Sequence, residues 1–99
     1  MEGRRALMVV GTSPAETELG WQLDLLDRAA GKGVLLMQDG VLFATAEHVH
    51  RLRREGLRLY ALRHSLEARG VSDRVAPGVE VVDYPRAIDL MMADYDVIV

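Results

Sequence analysis

Val34-Leu35-Leu36-Met37-Gln38-Asp39-Gly40 sets four consecutive apolar residues directly against a polar turn. A short run that is apolar at every position reads as a strand buried on both faces, and a polar, glycine-bearing turn at its end leads out of a strand toward a helix. Residues 6–10 repeat the theme upstream, an apolar run closed by Gly11-Thr12-Ser13-Pro14. Between the two, Leu19, Leu23, Leu26 and Ala30 keep one face of a helix over residues 17–30, with Gly31 and Gly33 as its stop. Downstream, Val41, Thr45, Val49 and Leu52 hold helical spacing opposite Glu47, His50, Arg51 and Arg54, and Gly56 ends that helix.

The rest of the chain continues the alternation. Residues 57–62 form a third strand, residues 63–77 are mostly polar with a single helical turn at 66–69, and residues 79–82 form a fourth. Asp83 caps a helix that carries Pro85 in its first turn and runs to about Ala93, and residues 96–99 close with a short strand. Strands alternating with helices predict an α/β fold: one domain over residues 1–99, three layers α/β/α, with a mostly parallel sheet of about five strands. No repeat or linker divides it.

Composition narrows the chemistry. Fifteen acidic against twelve basic side chains give a net charge of -3, without the basic excess of a phosphate-backbone binder, so direct nucleic-acid binding is disfavoured. There is no cysteine, hence no disulfide, thiolate metal site, sulfur nucleophile or persulfide carrier. The segment opening at Met1 has two arginines and an apolar run shorter than a signal-peptide core, and no run reaches the ~20 apolar residues of a membrane span. A cytoplasmic protein is the expectation.

In a parallel sheet, function gathers beyond the carboxyl ends of the strands. The loops there are residues 11–14, 38–40, 63–69 and 83–85. The first puts hydroxyl residues ahead of an expected helix start, where free N–H groups attract anions, but the spacing of a phosphate loop is missing and so is a dinucleotide fingerprint. A receiver domain is a poor fit, because Lys32 is the only lysine. His48 and His50 are i, i+2 and point apart on a helix, so a two-histidine metal site is not expected. With Arg51, Arg53 and Arg54 they read as a solvated basic helix face, and His64 as a bystander after strand three.

More telling is apolar surplus. Trp21 and Leu25 form a second stripe away from the core stripe of the first helix. On the last helix Ala87, Ile88, Leu90, Met91 and Met92 span about 200° of arc, beyond the ~100° of an ordinary surface helix. A domain this small has little chain left to cover a second side, so subunit contact is expected there.

Three blocks carry a family resemblance. Residues 34–41, Val-Leu-Leu-Met-Gln-Asp-Gly-Val, resemble the strand and Gln-Asp-Gly-Val turn of DsrH/TusB proteins. Leu59-Tyr60-Ala61-Leu62 with Leu66-Glu67-Ala68-Arg69-Gly70-Val71 is similar to the family's strand and Leu-x-Ala-Arg-Gly turn. Val81-Val82-Asp83-Tyr84, followed by Asp89-Leu90, resembles its step into the last helix. The resemblance implies a non-catalytic subunit of a sulfur relay, in tRNA 2-thiouridine synthesis or sulfur oxidation, with the sulfur carried on a cysteine of a DsrE/TusD-like sister and a DsrF/TusC-like subunit as further partner. DsrH members often bear a cysteine and the family a tryptophan near the C-terminus; this chain has neither. No cofactor or metal is implied. The expected contact and functional residues are Gln38, Asp39, Gly40, Trp21, Leu25, Ile88, Met91 and Met92, with Asp39 ordering its turn through local backbone N–H groups. The alternative is a homo-oligomeric small-molecule or anion-binding module using residues 11–13 and 38–40.

Overall fold

The computed structural model describes residues 3–99; Met1 and Glu2, which open the segment weighed above as a leader, lie outside the described residues. Five strands, β1 (Arg5–Val10), β2 (Gly31–Leu36), β3 (Leu57–Leu62), β4 (Val79–Val82) and β5 (Val97–Ile98), form one sheet in the order β4-β3-β2-β1-β5. Every ladder is parallel, and β1 pairs with β2 over six positions from Arg5 opposite Gly31 to Val10 opposite Leu36. The apolar runs are buried on both faces as their composition requires. On the first face Ala6, Met8, Val34, Leu36, Leu59 and Ala61 pack beneath α1 (Gly20–Leu26), a 3-10 helix (Gln38–Ala44) and α2 (Arg63–Ala68). On the second, Leu7, Leu35, Tyr60, Leu62 and Val82 pack against α3 (Tyr84–Asp89), which continues as a wider π turn over Leu90–Asp94. Three layers α/β/α result.

β3 and β4 lie where the apolar runs place them. Asp83 caps α3 as expected, its carboxylate accepting from the Arg86 N–H at 3.0 Å. Two helices differ from expectation. The first is confined to Gly20–Leu26, because the Ala30 N–H donates to the Arg4 carbonyl at 2.8 Å and draws the chain into the sheet. Gly31 and Gly33, expected to end that helix, are therefore in β2. The second expected helix is replaced by two 3-10 pieces, Gln38–Ala44 and Val49–Arg51. Between them Thr45 is extended and bridges Val75, while the Ala76 N–H donates to the Ala44 carbonyl at 2.8 Å. Helical spacing buried Val41, Val49 and Leu52 correctly, but long-range pairing interrupts the helix. Residues 63–77 hold more structure than one turn, namely α2 and a 3-10 turn at Ser72–Arg74.

The arginines of residues 51–54 brace the first layer rather than line a solvated helix. Arg51 donates to the Pro14 and Thr17 carbonyls at 2.7 and 2.9 Å, Arg53 to that of Pro77 at 2.5 Å, and Arg54 meets Asp27 at 2.6 Å.

Gly33 has a specific neighbour. A Cβ there would run into the hydroxyl of Tyr95, and its ring carbon Cζ would be only 2.8 Å away. Tyr95 is buried, meets Tyr60 edge to face with ring centroids 6.4 Å apart, and shares a 3.1 Å hydrogen bond with the Tyr60 hydroxyl. Burial, then this hydrogen bond, pushes the Tyr95 phenol well above its ordinary value, against the opposing pull of Arg5 and Arg58.

Gly33→Ala should cost about 1–3 kcal/mol in urea unfolding, through overpacking, and less when Tyr95→Phe removes the hydroxyl. A separate outcome concerns pH. The raised phenol contributes stability that is complete below the ordinary tyrosine value of about 10 and is lost as pH climbs past it, since the unfolded chain then binds fewer protons. Wild type should lose stability above that pH more steeply than Tyr95→Phe.

Candidate functional site

At the carboxyl edge of the sheet, the chain leaves β2 through Met37 and turns at once into the 3-10 helix. The Met37 N–H donates to the Val10 carbonyl at 3.0 Å, which keeps the end of β2 beside the end of β1. Gly40 then passes directly over Val10, so close that a Cβ would overlap the Val10 carbonyl oxygen. Only glycine fits this approach. Gln38 has φ of 51°, the left-handed region, and no other non-glycine residue does so among the described residues. Such a residue costs on the order of 1–2 kcal/mol relative to ordinary backbone.

Contacts from α2 hold that backbone in place. The Gln38 N–H donates to the Ser65 hydroxyl at 2.9 Å, and Ser65 is only 4% exposed. Arg69 donates through Nε to Asp39 at 2.8 Å. Asp39 was expected to bond local backbone N–H groups; it pairs with a side chain 30 residues away instead. The pair is partly exposed, so it contributes at most about 1 kcal/mol. Gln38 itself is exposed, with Oε1 lying 3.6 Å from where a Cβ on Gly11 would stand. Nearby on the edge, His64 and Tyr84 stand with ring centroids 5.7 Å apart.

The loop after β1 turns inward on its own groups. Thr17 bonds the Thr12 hydroxyl and the Ser13 carbonyl, both at 2.6 Å, and Ser13 bonds Glu16 at 3.0 Å. Since α1 begins only at Gly20, the hydroxyls do not sit at a helix start, and the anion-binding arrangement does not form. Among the described residues no three His, Asp or Glu side chains gather as a metal site, and no helix is long and apolar enough to cross a membrane. A groove of about 540 Å³ between Leu42, Thr45, His48, Val71 and Arg74 opens on the first face; neither Gln38 nor Asp39 lines it.

The expected contact residues fall in three places. Gln38, Asp39 and Gly40 share the edge turn. Trp21, 69% exposed, and half-buried Leu25 stand on α1, on the first face. Ile88 on α3 and Met92 on its π turn are 53% and 80% exposed, while Met91 packs partly into the second core. Sequence reasoning missed Ser65, whose partner is 27 residues away and for which no local signal exists. Arg69 belongs to the Leu-x-Ala-Arg-Gly block, but nothing local in the sequence points it at Asp39.

Comparison with known proteins returns one family. A profile described as DsrH like protein matches residues 12–97. Protein TusB of Pectobacterium parmentieri is 34% identical over 86 residues, 85% of this chain and 88% of that one. Protein TusB of Erwinia tasmaniensis is 41% identical over 81 residues, 80% and 83% of the two chains. Among solved structures, the solution structure of protein Tm0979 from Thermotoga maritima superposes with a TM-score of 0.61 at 26% identity, covering 86% of this chain and 88% of that one.

Gly40→Ala should cost several times more stability than Asp39→Asn, since one pushes a methyl into rigid backbone and the other removes a partly exposed ion pair. Urea midpoints of the two variants measure this; equal losses would mean that the ion pair, not the close approach, holds the turn.

Proposed function

The chain belongs to the DsrH/TusB family of sulfur-relay subunits, and we propose that within it this protein is a non-catalytic, cytoplasmic interaction subunit. The family match carries the reading, and the absence of any thiol sharpens it. Persulfide sulfur travels on thiolates, and a chain without cysteine has no group to take it. The sulfur then stays on a cysteine of a DsrE/TusD-like sister, with a DsrF/TusC-like subunit completing the assembly, as in tRNA thiolation. The small-molecule or anion-binding alternative is not favoured, because the family match points elsewhere and the loop hydroxyls bond one another.

Three surfaces suit contact with sister subunits. Tyr84, Ile88 and Met92 follow one another at four-residue steps along α3 and its π turn, all more than half exposed. Contiguous exposed apolar groups of this kind mark partner surfaces, and methionine adapts to them. The edge turn at Gln38, Asp39 and Gly40 supplies the second, and Trp21 with Leu25 on α1 a smaller apolar one.

Coexpression with the cysteine-bearing DsrE-like and DsrF-like proteins of the same genome tests this, with the sister loaded with labelled sulfur by a cysteine desulfurase. The three chains should copurify with all label on the sister. The double variant Ile88→Asp, Met92→Lys should drop out of the complex while its circular dichroism stays unchanged, since Ala87 and Leu90 remain in the core. A wild-type chain that never associates, or a stable sulfur adduct on it, would count against the proposal.

A further inference from the structure

We infer that Gln38 is a recognition residue, whose carboxamide is displayed at the carboxyl edge to bond a main-chain peptide group of the cysteine-bearing sister subunit. The inference deepens the relay reading and rests on it for the identity of the partner. Its starting point is the backbone. Gln38 has φ of 51°, a conformation that glycine adopts freely and a side chain makes costly. Strain of this sort persists only where surrounding contacts over-determine it. Three do so here: the Ser65 hydroxyl accepts the Gln38 N–H at 2.9 Å, Arg69 grips Asp39 at 2.8 Å, and Gly40 lies against the Val10 carbonyl.

None of those contacts involves the Gln38 side chain. The backbone N–H, the next residue's carboxylate and a glycine do the holding, so glycine at position 38 would keep all three and relieve the strain. The carboxamide makes no hydrogen bond to another described residue that would hold it in place. It stands exposed beside Gly11, which offers no side chain to cover it. The glutamine side chain is thus retained at a cost to the fold with no internal bond in return.

The chemistry of the group identifies what it meets. A carboxamide presents one acceptor and two donors side by side, the complement of a peptide C=O and N–H. The neighbouring Asp39 charge is already countered by Arg69, so a neutral polar group fits the site better than a cation. A main-chain peptide group of a sister's loop is such a neutral donor and acceptor.

Gln38→Gly and Gln38→Ala separate recognition from structure, because both delete the carboxamide and only glycine relieves the strain. Urea midpoints are measured on each variant alone, and affinity for the DsrE-like and DsrF-like sisters of the same genome by titration calorimetry. Gln38→Gly should unfold at or above the wild-type midpoint and Gln38→Ala below Gln38→Gly, while both bind the sisters about tenfold or more weakly. A Gln38→Gly midpoint below wild type would make the side chain structural and overturn the inference. Wild-type affinity in both variants would overturn it while leaving the relay reading intact. A wild-type chain that binds no sister would remove the relay reading, and this inference with it.

Discussion

Parallel strands must be joined by crossovers, and crossovers of one hand decide which face they cover. Here the steps from β1 to β2, β2 to β3 and β3 to β4 all move the same way across the sheet, so α1, the 3-10 helix and α2 lie on one face. The step from β4 to β5 returns past the other strands in the opposite direction, and its helix, α3, lies on the other face. One helix is thereby left to cover what three connections cover opposite. Val9, Met37 and Met91 are half-buried in consequence, and α3 with its π turn keeps Ile88 and Met92 outward. The apolar surplus of the last helix is a product of topology as much as of composition.

The same constraint positions the edge turn. Because β2 runs beside β1 in register to Val10 and Leu36, the chain leaving β2 must cross the end of β1 within hydrogen-bonding distance. Gly40 makes that crossing without a side chain, and Gln38 takes the left-handed backbone that aims the chain into it. Steric fit outweighs charge here. The ion pair of Asp39 with Arg69 is partly exposed and weak, whereas the space above Val10 admits no Cβ.

Function divides along a similar line. Family membership assigns the chain to a sulfur relay, and the chain itself carries no cysteine. Its distinctive features are an exposed helix face and an edge turn built at a cost in backbone strain.

Much of the architecture was legible in local pattern. The apolar runs gave β3 and β4 to the residue and the order of elements throughout, because burial on both faces of a parallel sheet leaves a continuous apolar signature. Asp83 announced its helix because a cap acts within three residues. The lack of a thiol needed no fold at all. The features that eluded the sequence join residues far apart along the chain: Thr45 bridging Val75, which broke an otherwise helical pattern; Gly33 making room for Tyr95; Ser65 holding Gln38; Arg69 taking Asp39 from its own turn. Periodicity reports only neighbours within a turn or two, and contacts between positions some thirty or more residues apart, such as Asp39 and Arg69, come into being only when the sheet brings its strand ends together.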